Sequence, residues 1–328
     1  MDIVFVHLNT SLPSYLNNNL VRTQKIFPDE NIVLISNIAQ KSIPGITHFK
    51  FDEPPESKQL KNILVHPNDF RNNFWHISIA RFAYLLTYQK LFNKKILHFE
   101  SDVLISSDFP LSKFKKISFE KIAFPVLARK RGVASVFYSG GPKILNTFVN
   151  FAISNAAKNP STTDMLTLRD FYDHYPTCVD LLPAGPDEIQ LYDKEIIEDV
   201  FPNIKDGLEE FKGVFDGTDI GFYLFGTNPY NRRGISFIRQ EIADTYTIMS
   251  KFRFEYNVSR NFIDLLCANR KIPIYNLHIT SKRQSIFASK SLEKEIKKYL
   301  NIKKEKKSII FSVFLNMLIK KLVLIVTK

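Results

Sequence analysis

Two carboxylates stand at the end of an apolar run in the segment KKILHFESDVLI, residues 94–105. Glu100 and Asp102 come directly after the predicted buried strand KKILHF. In an open α/β sheet, ligands collect at the carboxyl ends of the strands, and two acids at this spacing can face one ligand or hold a divalent cation across a turn. The spacing therefore predicts a site for a metal ion and a diphosphate. The alternative is that both acids are solvated charges at a strand end or cap a helix.

Alternating strands and helices surround this pair. Short β-branched runs bounded by turn-forming residues predict strands, and apolar residues at helical spacing predict the helices between them. The alternation indicates an α/β fold with a Rossmann-type mixed sheet flanked by helices, parallel in its amino-terminal half and mixed later. The predicted strands are DIVFVHL, NIVLIS, ITHFKF, KKILHF, EKIAFPVLA and VASVFYS, with extended segments over 246–256 and 271–279. The predicted helices are PSYLNNNLVRTQKIF, NNFWHISIARFAYLLTYQKLFN, GPKILNTFVNFAISNAAKN and DMLTLRDFYDHY.

The composition is that of a globular protein with a basic charge balance. The chain has 328 residues, 45% of them hydrophobic, which suffices for a large core. Its 45 basic and 33 acidic residues give a formal charge of +12, which favours anionic partners such as nucleotides, polyanionic glycans or acidic lipid. Nucleic acid is not expected, because no aromatic-basic recognition motif appears. Cys178 and Cys267 form no CxxC pattern, and no basic or apolar leader opens the chain, so we expect free thiols and a cytoplasmic protein.

Residues 286–328 are predicted to form a basic, amphipathic C-terminal tail. Polar residues recur at every fourth position on one face of a predicted helix, and a lysine cluster precedes it. This pattern indicates an interfacial helix on an anionic membrane surface, which would place the protein peripherally at the inner face of the cell membrane. The alternative is a terminal helix that docks on its own domain or on a second subunit. The polar stripe is Ser308, Ser312, Asn316 and Lys320, and the cluster is Lys303, Lys304, Lys306 and Lys307.

The order of the motifs resembles that of GT-A glycosyltransferases. The segment IARFAYLLTYQKLFNKKILHFESDVLI, residues 79–105, is similar to the arginine helix and DxD strand of that family, especially in glycogenin and the bacterial lipopolysaccharide galactosyltransferases. The segment IPIYNLHITSKRQ, residues 272–284, resembles the one that supplies a histidine to the metal and a lysine to the donor diphosphate. The resemblance implies a GT-A-like catalytic domain over 1–285. Nucleotide-sugar binding would lie mainly in 1–110 and the acceptor side mainly in 130–270.

Three residues are predicted to hold the metal. A hard divalent ion such as Mn²⁺ or Mg²⁺ can bridge the two phosphates of a departing nucleoside diphosphate and act as a Lewis acid. Asp102 is the principal candidate ligand, and His278 would supply an imidazole, which Mn²⁺ accepts. Glu100 stands where the family more often has aspartate, so its longer side chain would reach the metal, a metal-bound water or the ribose. The alternative for His278 is a histidine satisfied by backbone at a strand end.

Further donor-binding residues are predicted around the acids. Lys282 and Ser281 would offer a cation and a hydroxyl to the diphosphate, and Ser101 lies in the turn between the two acids. By the resemblance, Arg81 would contact the nucleotide or the donor sugar. Its alternative is the solvated face of an amphipathic helix.

Polar residues after the first two strands are predicted to receive the base and ribose. In an open α/β sheet, the nucleoside lies at the carboxyl ends of these strands. Ordinary turn chemistry is the alternative explanation for asparagine and threonine at such positions. The residues are His7, Asn9 and Thr10 after the first strand and Asn37 after the second.

The segment VFDGTDIGFYLFGTNPYNRRG, residues 214–234, resembles the acidic acceptor-side loops of related bacterial transferases. Asp216, in preference to Asp219, would orient the acceptor hydroxyl, accept its proton as a general base or steady the donor sugar. The alternative is a helix N-cap at Asp216 or Thr218. Glycines at 140–141 after Ser139 would form a wall near the donor sugar, or only a strand-to-helix turn.

The sequence thus predicts a metal-dependent glycosyltransferase, most simply a hexosyltransferase. It would move a sugar from a UDP-linked donor to a glycan or lipid-linked glycan in capsule or lipopolysaccharide synthesis. The resemblance favours retention of anomeric configuration, while the Glu-Ser-Asp variant of the metal motif leaves inversion open. Two alternatives remain. One is a nucleotidyltransferase, although no glycine-rich basic loop follows the first strand. The other is a non-catalytic glycan- or membrane-binding protein on the same fold.

Overall fold

The computed structural model describes residues 1–65, 74–127, 131–185, 204–226, 249, 252–267, 270–282, 284–288, 292–298 and 300. Within these residues an eight-stranded sheet forms the centre of the molecule. Its strands are β1 (Asp2–His7), β2 (Ile32–Ser36), β3 (Ile46–Lys50), β4 (Ile96–Phe99), β6 (Ile122–Leu127), β7 (Arg131–Gly132), β8 (Val136–Ser139) and β9 (Val179–Leu182). They are arranged in the order β3-β2-β1-β4-β8-β6-β7, with β9 paired to β6.

The pairing directions confirm the predicted mixed sheet. Strands β1, β2, β3 and β4 run parallel, whereas β8 is antiparallel to both β4 and β6. Because β1, β2 and β4 are covered on both faces, their sequences are largely apolar, and all five residues of β2 are buried. Successive β1 side chains alternate between two cores: Val4 packs in one, and Ile3 and Phe5 pack in the other.

Helices cover both faces of this sheet. Leu16 and Leu20 of α1 (Ser14–Ile26) pack into one core. Into the other core pack Phe82 of α3 (Phe74–Phe92), Phe148 of α5 (Pro142–Lys158) and Phe171 of α6 (Asp164–His174). Local chemistry sets several helix starts: Pro142 opens α5, and the Thr163 side chain accepts a hydrogen bond from the Leu166 backbone at the start of α6. The helices are α1 (Ser14–Ile26), α2 (Pro55–Ile63), α3 (Phe74–Phe92), α4 (Leu111–Lys116), α5 (Pro142–Lys158) and α6 (Asp164–His174).

The later part of the described chain builds a third core beside the sheet. Two strands, β5 (Val103–Ile105) and β13 (Asn276–His278), pair antiparallel outside the main sheet, with His278 opposite Val103. A three-stranded antiparallel sheet comprises β10 (Arg253–Asn257), β11 (Phe262–Cys267) and β12 (Arg270–Pro273). The helices of this part are α7 (Ile204–Phe211), α8 (Asp219–Phe225) and α9 (Gln284–Ala288).

The packed part of the chain continues beyond residue 285. Ile286, Leu292 and Ile296 are buried in the third core, so this beginning of the predicted tail lies on the domain itself. The amphipathic stripe and lysine cluster predicted over 301–328 lie outside the described residues. No helix in the described ranges is long and apolar enough to cross a membrane.

The prediction of a donor-side wall at residues 139–141 is wrong. Strand β8 runs antiparallel to β4, with Ser139 opposite Ile96, so it ends beside the start of β4 and away from the acids that follow β4. A Cβ atom on Gly140 would lie 2.2 Å from the Ser118 carbonyl oxygen, which explains the glycine by close packing. The alternative, a strand-to-helix turn before Pro142, is the arrangement observed.

Burial of His98, on β4, should make the stability of the fold sensitive to acid. Its Nδ1 lies 2.9 Å from the Val4 carbonyl oxygen, and burial lowers its pKa to about 3. The His98 imidazole takes up a proton near pH 6.5 in the unfolded chain and only near pH 3 in the folded chain. The free energy of unfolding therefore decreases as the pH falls between these values. We expect His98→Gln to reduce this loss by up to about 1.4 kcal/mol per pH unit in urea unfolding at pH 7, 6 and 5. The exposed His174→Gln is the control, and equal pH slopes in wild type and His98→Gln would contradict the prediction.

Candidate active site

The turn between β4 and β5 carries Glu100, Ser101 and Asp102. At this turn the chain leaves the central sheet and pairs with β13 instead. The Ile279 backbone N–H donates to the Asp102 carbonyl oxygen at 2.8 Å, and the Glu100 N–H donates to the Ser135 carbonyl at 3.3 Å. Backbone bonds on both sides therefore hold the turn that presents the two acids.

The pairing of β5 with β13 brings His278 to the two acids. Its Nε2 atom lies 3.1 Å from Glu100 Oε2 and 3.3 Å from Asp102 Oδ1. Candidate ligand atoms of the three residues all lie within 4.8 Å of one another. Two carboxylates and an imidazole form a donor set suited to Mn²⁺, with positions left for phosphate oxygens and water. The structure thus brings together the three residues predicted to hold the metal.

Backbone contacts orient the His278 ring. Its Nδ1–H donates to the Gly217 carbonyl oxygen at 2.6 Å, which leaves Nε2 directed at the acids. Burial alone would lower the pKa of His278, but the Asp102 and Glu100 carboxylates outweigh it and raise the pKa to about 10. Without a metal, Nε2 therefore carries a proton that bonds to the acids. A cation at this site would have to replace that proton.

The two acids stay ionised despite their burial. Burial opposes the charge on Asp102, but Lys282 and His278 outweigh it and hold the pKa of this carboxyl well below its ordinary value. Arg81 does the same for Glu100, whose pKa is also lowered. The site therefore keeps two negative charges available to a cation at neutral pH.

Arg81 is buried between two carboxylates. Its Nη1 and Nη2 groups bond to Glu100 and Asp164 respectively, and only 9% of the residue is exposed. This contradicts the alternative of a solvated helix face. Asp164, the first residue of α6, was not predicted as a site residue, because an acid at a helix start reads as ordinary capping chemistry. Only the fold shows that it faces Arg81.

Lys282 extends from the turn after β13 towards Asp102. Its Nζ atom lies 3.7 Å from Asp102 Oδ2, and the adjacent Ser281 is buried. Ser281 Oγ has no hydrogen-bond partner within the described residues. Lys282 has a φ of 51°, in the left-handed region that lysine seldom adopts. Such strained positions often occur at ligand sites.

The positive φ of Lys282 predicts different stabilities for two variants that both lose its charge. We expect the free energy of unfolding of Lys282→Gly to exceed that of Lys282→Met by about 0.5–1 kcal/mol, since both lose the charge that offsets Asp102 and only glycine adopts positive φ at little cost. The same variant should weaken nucleoside diphosphate binding. Lys282→Met is the matched control, because it removes the charge and keeps the strain. Urea unfolding and calorimetry measure both quantities, and a Lys282→Gly protein no more stable than Lys282→Met would count against the strain.

The four predicted nucleoside-binding residues meet at the ends of β1 and β2. The Asn9 backbone N–H donates to Asn37 Oδ1 at 2.8 Å, and Asn37 Nδ2 donates to Asn9 Oδ1 at 2.7 Å. Thr10 Oγ1 lies 3.0 Å from His7 Nε2. The structure brings the four residues together and bonds them in pairs, and their nucleoside contacts remain predictions.

Asp216 is buried, and its carboxylate is surrounded by backbone. It accepts hydrogen bonds from the N–H groups of Ile220 at 3.0 Å, Gly221 at 2.7 Å and His278 at 2.9 Å. Burial raises the pKa of this carboxyl to about 6. The bonds to Ile220 and Gly221 are those expected if Asp216 caps the start of α8, which was the alternative to a substrate contact. The bond to His278 also fixes the backbone of that residue. Asp219, half-buried in the first turn of α8, keeps its acceptor-side role as a prediction.

No family model matches the sequence, and no curated protein matches it. Solved structures with a similar fold include glycosyltransferases. A galactosyltransferase, LgtC, has a TM-score of 0.40 and 14% identity, over 63% of this chain and 82% of that one. The PaToxG glycosyltransferase has a TM-score of 0.37 and 12% identity, over 65% and 85%. GlyE of Streptococcus pneumoniae has a TM-score of 0.34 and 14% identity, over 63% and 52%. At these scores, only the geometry of the site supports an assignment of function.

Proposed function

We propose that this chain is a metal-dependent glycosyltransferase of GT-A type, which transfers a hexose from a nucleotide-sugar to an acceptor hydroxyl. One observation carries the proposal. Glu100, Asp102 and His278 converge within 4.8 Å at the carboxyl end of β4, and Lys282 reaches to 3.7 Å from Asp102. Two carboxylates and an imidazole suit a divalent cation, and the adjacent lysine suits the phosphates that such a cation binds.

Glu100, Asp102 and His278 would hold the cation, Mn²⁺ or Mg²⁺. When bound, it would supply Lewis-acid neutralisation of the nucleoside diphosphate leaving group. His278 would keep its Nδ1 proton on the Gly217 carbonyl and present a neutral Nε2. Lys282 would add its positive charge on the diphosphate, where negative charge develops as the anomeric C–O bond breaks.

The remaining predicted roles fit around this centre. The group at the ends of β1 and β2, His7, Asn9, Thr10 and Asn37, would take the base and ribose, with Ser101 and Ser281 nearer the phosphates. Arg81, fixed by two acids, would border the donor sugar. The acceptor oxygen would attack the anomeric carbon, the diphosphate would leave with the bonding electron pair, and Asp219 would orient the acceptor hydroxyl or receive its proton.

We assign a UDP-linked donor and a glycan or lipid-linked glycan acceptor at an inner membrane surface. The mixed oxygen and nitrogen donor set supports Mn²⁺ as the ion, and the formal charge of +12 supports an anionic donor and an anionic surface. Membrane attachment would come from the basic tail over 301–328.

Thermal unfolding with UDP, GDP, CDP and ADP, each with Mn²⁺, Mg²⁺ or EDTA, tests the proposal. A ligand at a hundred times its dissociation constant should stabilise the fold by about 2.7 kcal/mol. We expect stabilisation by one diphosphate that EDTA abolishes, followed by consumption of the matching nucleotide-sugar. Stabilisation without donor consumption would favour a binding protein. Release of inorganic diphosphate from a nucleoside triphosphate and a sugar phosphate would identify a nucleotidyltransferase.

A further inference from the structure

Helix α1 packs beside the turn at residues 100–102, here called the metal turn. It does so with a polar stripe that the proposed mechanism does not use. The stripe consists of Tyr15, Asn19 and Arg22, which lie on one face because they are separated by four and three residues. Asn19 Nδ2 donates to the carbonyl oxygens of Ser101 at 3.2 Å and Val103 at 2.8 Å. Arg22 Nη1 donates to the Ile105 carbonyl oxygen. The stripe thus follows the chain from the metal turn along β5.

Tyr15 is the member of this stripe nearest to the metal residues. Its hydroxyl lies 3.3 Å from Ser101 Oγ, between the two acids in sequence. The Lys282 Nζ atom lies 5.8 Å from the centroid of the Tyr15 ring, a distance at which an ammonium is attracted to an aromatic face. Phe287 supports the ring, with the two centroids 5.6 Å apart. Tyr15 therefore contacts both the metal turn and Lys282.

These contacts address a conflict within the site. Lys282 lies 3.7 Å from Asp102, so the lysine and a cation compete for the same carboxylate. A site that uses both must hold the ammonium close to Asp102 without tying it there. An aromatic face can do so, since it attracts a cation. The face itself contains no strong hydrogen-bond acceptor, so the N–H groups of the ammonium remain available to a phosphate.

We propose that Tyr15 is a positioning residue for the donor diphosphate, whose ring keeps the Lys282 ammonium beside the metal turn while Asp102 holds the cation. This inference rests on the proposed function, since it needs a diphosphate at the site. The ring is the part of Tyr15 that acts. The hydroxyl, which has hydrogen bonds with Ser101 and with Lys282, makes a smaller contribution by orienting the ring and the ammonium.

A double-mutant cycle tests whether Tyr15 acts through Lys282. The probe is inorganic diphosphate with Mg²⁺, titrated calorimetrically. We expect Tyr15→Leu to weaken binding roughly 3- to 30-fold, with no further loss when it is added to Lys282→Met. Tyr15→Phe should remain within about threefold of wild type, because it keeps the ring. Tyr138→Phe is the control, since its hydroxyl bonds to the Ile117 carbonyl at 2.9 Å, near the other end of the sheet. Losses that add in the double variant would overturn the inference.

A second readout needs no ligand and separates this inference from the proposed function. The ε-CH₂ signal of Lys282, assigned by its disappearance in Lys282→Met, should show a ring-current shift in the wild-type NMR spectrum. The shift should disappear in Tyr15→Leu and persist in Tyr15→Phe. If it persists in Tyr15→Leu, the inference is overturned whatever the protein binds. If the shift behaves as expected but wild type binds no diphosphate, the donor site fails and with it the role of Tyr15 towards that ligand.

Discussion

Asp102→Asn should abolish metal-dependent nucleoside diphosphate binding and lower glycosyl transfer by at least about 10²-fold. The substitution keeps the size of the side chain and removes the charge that His278 faces at Oδ1 and that a cation would require. Loss of an outer-shell partner alone typically costs about 10- to 100-fold in metal affinity or activity, and Asp102 is a proposed direct ligand. Calorimetric titration with Mn²⁺ and UDP, beside a transfer assay, measures both effects.

His278→Ala should have the same consequence, because it removes the ligand that the fold brings to the acids from β13. Asp180→Asn is the matched control. It makes the same change in a carboxylate that is partly exposed and bonded to Lys121 on the surface. We expect this control to bind and turn over as wild type does. Full metal-dependent turnover in both Asp102→Asn and His278→Ala, with each variant folded, would show that the metal site has been placed on the wrong residues.

Arg81→Met should destabilise the fold by about 3–5 kcal/mol, one of the largest effects expected of a single substitution in this chain. Methionine can fill the space, so little of the cost comes from a cavity. The cost arises because Glu100 and Asp164, 16% and 8% exposed in their side chains, lose the cation between them. Two like charges then remain in a buried space, and at least one of them must take up a proton.

Urea unfolding of Arg81→Met gives the change directly, and a second substitution identifies its cause. Adding Asp164→Asn to Arg81→Met should recover part of the lost stability, because it removes one of the two like charges that Arg81 holds together. Lys121→Met supplies the comparison with an ion pair near the surface, where the loss should stay below about 1 kcal/mol. An Arg81→Met protein as stable as wild type would mean that the buried pair contributes little. Equal losses in the single and double variants would point to packing.

Much of the framework was readable from local patterns. Strands β1, β2 and β4 and helices α1, α3 and α5 lie within the predicted segments, because apolar periodicity and turn-forming residues act over a few neighbours. The acid pair was recognisable for the same reason, since a buried strand that ends in two carboxylates is a local pattern. Segment 272–284 could be recognised by its resemblance to a family. Its distance to the acids could not be measured in the sequence.

The tertiary structure decided which charges meet. His278 reaches Asp102 because β13 pairs with β5, and that register depends on the whole third core. Asp164 faces Arg81, although each looks like an ordinary helix residue. Asp216 turns its carboxylate to backbone N–H groups, and β8 runs antiparallel, which moves Ser139 away from the acids. The physical reason is the same in each case: the burial and charge of a polar group depend on partners distant in the chain, which periodicity along the chain does not encode.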